Sequence, residues 1–90
     1  MQIECAFYGP LRDPVGEKTV YRDLDDGATV GDLLADLETA YPDLDLLAGG
    51  ERREGLTITV DGKDVRHRDG TDTELADGTL VRLTGAVYGG

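Results

Sequence analysis

The chain closes on Gly89-Gly90, and the group at that end able to do chemistry is the α-carboxylate of Gly90. With a reference pKa of about 3.5 it is ionised at neutral pH, which makes it a competent nucleophile toward the α-phosphate of ATP. Such attack gives an acyl-adenylate, which a sulfur or amine nucleophile can open. Glycine brings no Cβ, so an extended diglycine can thread an enzyme channel too narrow for any side chain. Small residues also end many domains without consequence. The body of the chain has to decide.

Other reactive side chains are few. Cys5 is the single cysteine and shares an apolar register with Ile3 and Phe7, which reads as a small core residue rather than a nucleophile. His67, the only histidine, lies between Arg66 and Arg68 and is expected at the surface. No Cys/His cluster offers a zinc or iron–sulfur site. No constellation of base, nucleophile and oxyanion donors is visible, so the chain is expected to need no cofactor of its own and not to be an enzyme.

Ninety residues make one domain with a modest core. There is no apolar run of membrane-spanning length and no charged-then-apolar signal segment at Met1, so a soluble cytoplasmic protein is expected. The formal net charge is −10, from 19 acidic residues against nine Lys and Arg. Nucleic acid and anionic lipid share that sign and are poor partners. The acids are dispersed rather than blocked, which argues against a disordered acidic tail.

The elements that must position the terminus can be read by period. Residues Gln2 to Tyr8 alternate, with Ile3, Cys5 and Phe7 on one face, as in a half-buried strand. Gly9-Pro10 breaks it, and a polar loop leads to a second run, Lys18 to Leu24. Arg22 interrupts the apolar face of that run, so an edge strand is expected. Thr29 caps a helix with Asp32 three residues on, and Val30, Leu33, Leu34, Leu37 and Tyr41 form its stripe. Pro42 stops it. Residues 43–55 read as a long irregular connection pinned by Leu44, Leu46 and Leu47. Leu56 to Val60 alternates again, Asp61-Gly62 closes a hairpin into a short strand Lys63–Arg66, and a helical turn is expected within Asp72–Ala76. Asp77-Gly78 turns into the last strand, Thr79–Thr84. The domain is thus 1–84, with residues 85–90 as a flexible tail. One helix can cover only one face of such a mixed four- to five-stranded sheet, an α+β architecture.

That order, with TVGDLLADLETAYPDL in the middle and LADGTLVRLTGAVYGG at the end, resembles the β-grasp (ubiquitin-like) fold. Within it the chain is similar to the sulfur-carrier branch: the small subunit of molybdopterin synthase, the thiamine-pathway sulfur carrier, and the small archaeal modifier proteins. The resemblance runs from FYGPLR to Gly90. It implies an E1-like adenylating enzyme as partner, which spends ATP on adenylating Gly90, with Gly89 as the threading neighbour. Sulfur transfer would then give a C-terminal thiocarboxylate, or the activated glycine would join lysine amines of target proteins. It also implies the large subunit of molybdopterin synthase as a further partner, and a monomer when unconjugated. Lys18 and Lys63 are the only side-chain amines, so self-linked chains would have to use them or the N-terminus, although either reads equally as a solvated surface residue. The molybdopterin subunit pattern carries a Pro-Pro pair before the tail. Gly85-Ala86 stands there instead, which implies a looser exit.

A modifier conjugated through Gly90 is the leading reading. A dedicated sulfur carrier for molybdopterin or thiolated nucleosides comes second, and a non-conjugated β-grasp interaction domain third. The aspartate-rich surface points to a salt-adapted cytoplasm. At about 1 M salt the Debye length is near 3 Å and self-repulsion is screened, whereas at about 0.01 M it is near 30 Å. Circular dichroism is expected to report partial unfolding on transfer from molar salt to millimolar buffer; an unchanged spectrum would contradict the salt adaptation.

Overall fold

The computed structural model describes residues 1–85. Alternation over Gln2–Tyr8 becomes strand β1, whose Ile3, Cys5 and Phe7 are fully buried. Gly9–Leu11 forms a 3₁₀ turn that runs into a one-turn helix, α1, Arg12–Val15. Sequence reading expects only a polar loop here, and Pro14 falls inside the helical turn. Proline is tolerated in a first turn, where its missing N–H has no partner to lose. The turn ends at Gly16, whose N–H donates to the Arg12 carbonyl at 2.8 Å.

Strand β2, Thr19–Asp23, is one edge of the main sheet. Arg22 does point to the helix side, yet it is not left unpaired. Its guanidinium donates to both carboxylate oxygens of Asp36, at 2.7 and 3.2 Å, and both side chains remain about a third exposed (31% and 27%). The break in the apolar register is therefore an ion pair between strand and helix.

Helix α2, Val30–Ala40, starts where the sequence places it. Asp32 N–H donates to Thr29 Oγ1 at 3.3 Å and Thr29 N–H donates to Asp32 Oδ2 at 2.9 Å, a reciprocal capping box. Val30, Leu33, Leu34 and Leu37 are all fully buried. Tyr41 lies just past the helix as its C-cap, half-buried against the core. The connection that follows is more ordered than expected: β3 (Leu47–Ala48) and β4 (Glu51–Arg52) pair across Gly49-Gly50. Two-residue strands carry too little alternation to be read. Glu38 ties this hairpin to the helix, its Oε2 accepting from the N–H groups of Leu46 and Leu47 at 2.8 and 3.1 Å.

Strand β5, Thr57–Val60, turns through Asp61-Gly62 into β6, Lys63–Asp64. Both turn residues have positive φ, 49° and 87°, as a two-residue hairpin requires. The predicted strand to Arg66 is shorter because Val65–His67 winds into a 3₁₀ turn. The expected helical turn near 72–76 lies at Gly70–Asp72 instead, since Glu74 is drawn into a bridge with Thr29. The last strand, β7, is Leu80–Thr84.

The main sheet has the order β2-β1-β7-β5-β6. Strands β1 and β7 are parallel and every other neighbouring pair is antiparallel. Helix α2 covers one face, where Ile3, Phe7, Ile58, Val81 and Leu83 join its leucines in one buried cluster. Replacing Leu37 by Ala should destabilise the domain by about 2–5 kcal/mol through the cavity left behind. A thermal melt should show the midpoint falling by roughly 10 °C or more, and an unshifted melt would mean the stripe is not core.

Candidate functional site

The C-terminal strand is the middle strand of the sheet. Thr84, its last residue, is paired on both sides, with Tyr8 of β1 and Thr57 of β5. Gly85 follows directly. Gly89 and Gly90 lie outside the described residues, so the described part of the site is the exit from which they depart.

Two segments border that exit. On the β1 side stands the Gly9–Leu11 turn: a Cβ placed on Gly85 would lie 3.2 Å from Leu11 Cγ and 3.5 Å from Pro10 Cδ. On the β5 side stand Gly55 and Leu56. Together with Pro10, Leu11 and Gly85 they line a cleft of about 170 Å³, rimmed by Asp45, Arg53 and Glu54. Arg53 and Asp45 form an exposed ion pair across the rim at 2.8 Å. The floor is thus apolar and the rim charged, with the Asp45 carboxylate engaged by Arg53. Among the described residues no group of three or more His, Cys, Asp and Glu side chains converges as a metal site would require.

The two lysines sit differently. Lys18 lies at the exit end: its carbonyl accepts from Phe7 N–H at 2.7 Å, and its ammonium stands 5.6 Å from the centre of the Tyr8 ring, within cation–π range. Lys63 opens β6, opposite Val60, which in turn faces Val81 near the start of β7. Both side chains are exposed. The fold therefore brings Lys18, and not Lys63, to the end where the C-terminal strand leaves the sheet. The N-terminal ammonium is engaged, donating to the Leu24 carbonyl at 2.7 Å.

Sequence reasoning placed Gly85 at the exit, as a loose stretch, but missed Pro10 and Leu11, which lie against it. Their one signal was Gly9-Pro10 directly after the first strand, which reads as a breaker and hides its long-range contact. His67 is exposed and Cys5 is buried, as read from their neighbours.

A mixed sheet with a central last strand that ends beside a small cleft, and one capped helix on one face, define a β-grasp, ubiquitin-like domain. Comparison with known proteins makes the assignment narrower. The ThiS family matches residues 5–90, and the chain belongs to it. Small archaeal modifier protein 3 of Haloferax volcanii is 39% identical over 92 residues, covering all of both chains. The crystal structure of SAMP1 from the same organism is 28% identical, with full coverage of both chains and a TM-score of 0.87. In the crystal structure of the Amycolatopsis orientalis BexX/CysO complex, the matching chain is 27% identical, with 98% of this chain and 99% of that one covered and a TM-score of 0.81.

Burial pushes the Cys5 thiol up to about 12, with Asp36 and Glu4 adding to the effect and Arg22 opposing it. The folded value lies above the unfolded one of about 8.5, so its contribution to stability is complete below about pH 8.5 and is lost as pH rises toward 12. Iodoacetamide near pH 8 should leave the native protein unmodified and alkylate it once denatured. Fast alkylation of the native form would show an accessible thiolate.

Proposed function

We propose that this chain is a ubiquitin-like protein modifier that reacts through its C-terminal glycine, with an overlapping capacity as a sulfur carrier. The observation that carries the reading is family membership running without interruption to Gly90, on a fold whose C-terminal strand is gripped on both sides. A partner can pull on that end without loosening an edge of the sheet.

In this reading an E1-like adenylating enzyme binds the folded body and takes the tail into its ATP site. A Gly90 carboxylate oxygen attacks the α-phosphate of ATP, pyrophosphate leaves, and an acyl-adenylate results. A sulfur nucleophile then displaces AMP to give a thiocarboxylate, or a lysine amine of a target displaces the activating group to give an isopeptide bond. Gly89 serves as the side-chain-free neighbour that lets the terminus thread. The chain itself is substrate and carrier rather than catalyst. The complex of the Amycolatopsis CysO structure supports a partner protein engaging such a domain. The large subunit of molybdopterin synthase is a further candidate partner, and Lys18 and Lys63 are the side-chain amines available for self-linkage. No described helix is long and apolar enough to cross a membrane, which accords with a cytoplasmic role in a salt-adapted cell.

Deleting Gly89-Gly90 should abolish a ladder of higher-mass conjugates seen by immunoblot of native lysate. The same ladder persisting after deletion would sink the modifier reading. The carrier branch is read separately, as an oxygen-to-sulfur mass increase confined to the intact C-terminus. Gly90→Ala should keep the fold and cripple ATP–pyrophosphate exchange, because a Cβ appears where the channel is narrowest.

A further inference from the structure

We infer that the Gly9–Leu11 turn is a brace that sets the direction in which the C-terminal segment leaves the domain, and that Leu11 is a positioning residue for activation at Gly90. The second half rests on the modifier reading above; the first does not.

The register gives the starting point. Strands β1 and β7 run parallel to the pair Tyr8–Thr84, and one residue further β1 departs through Gly9 at φ 65°. A Cβ on Gly9 would lie 3.6 Å from the Gly85 carbonyl oxygen, so the turn passes directly beside the Gly85 peptide. Pro10 and Leu11 then fold back over its Cα side, at 3.5 and 3.2 Å from where a Cβ would stand. Gly85 has no left-handed φ, so its backbone conformation is open to any residue. A Cβ there would require the Leu11 side chain to give by a few tenths of an ångström, so the absence of one lets the turn lie this close.

The brace is itself held. Leu11 is half-buried, packs on the core cluster together with Val15, and directly precedes α1, which Gly16 closes with its 2.8 Å hydrogen bond. On its other side Gly85 faces the apolar cleft with Leu56. The residue after the last ladder pair is thus confined by a neighbouring loop rather than by prolines in the tail itself. A partner meeting an oriented departure has less chain to order on binding, and loss of the brace should appear as weaker capture of the tail rather than slower chemistry.

The test compares wild type, Leu11→Ala, which empties the contact, and Gly85→Ala, which overfills it, all in molar potassium chloride. Nitrogen-15 relaxation at Gly85 should fall from a rigid order parameter of about 0.85 to below about 0.6 in Leu11→Ala. In ATP–pyrophosphate exchange with the adenylating enzyme that accepts the wild-type chain, KM for the protein should rise about tenfold with kcat within about twofold. Gly85→Ala should move the Leu11 methyl resonances and raise KM in the same way. An unchanged order parameter at Gly85 in Leu11→Ala overturns the brace. A lowered order parameter with unchanged KM overturns the positioning role. Failure of the wild-type chain to support exchange with any adenylating enzyme of its own cells would count against the modifier reading, and the relaxation measurement would still decide the brace.

Discussion

The arrangement that everything else depends on is the pairing of the last strand between the first and the fifth. Thr84 is bonded into a parallel ladder with Tyr8 and an antiparallel one with Thr57. A chain end is ordinarily the part most prone to fray. Here the residues leading to it occupy the centre of the sheet, with Val81 and Leu83 fully buried beneath α2. That placement is non-local: β7 pairs with β1 from the opposite end of the chain and with β5. The result is a terminus attached to the best-anchored strand, in a domain whose described surface carries no catalytic constellation of its own.

Cohesion in this domain is apolar, and the charges serve another purpose. The ion pairs Arg53–Asp45 and Arg66–Asp64 are largely exposed on the arginine side (53% and 56%), and such pairs contribute little. Arg66 does hold the Asp64 carboxyl down to about 2, through side-chain and backbone hydrogen bonds that fix the turn after β6. Arg22–Asp36 is the pair that joins the edge strand to the helix, closing the apolar gap between them. The remaining acids coat the surface and set the sign of any partner that docks through charge.

Much of this was legible from local pattern. The alternation at Ile3-Cys5-Phe7, the Thr29/Asp32 box, the leucine stripe and the Asp61-Gly62 turn each act over a few residues and read correctly. Where the reading fell short, the cause was a distant contact or a short element. Arg22 looked like an interruption until Asp36, 14 residues on, supplied its partner. The β3–β4 hairpin is too short to alternate, and it is held by Glu38 from the helix. At the site, the diglycine was evident as a motif, but nothing local in Gly9-Pro10-Leu11 says that it lies against Gly85, 74 positions or more away in the chain. Contacts of that separation are set by topology, which the pattern of single elements does not encode.

In the proposed function the folded body is a handle, and all reactivity lies in one backbone carbonyl. Arg82 is the last tryptic site before the terminus, so a conjugate cut by trypsin would leave Leu83 to Gly90 branched on the acceptor. Tandem mass spectrometry of conjugates isolated from native cells is the most direct measurement. It should find that eight-residue remnant joined through the Gly90 carbonyl to lysine side-chain nitrogens. Conjugates joined through any other residue of the chain, or cells with no branched remnant while the protein remains fully functional, would contradict the account.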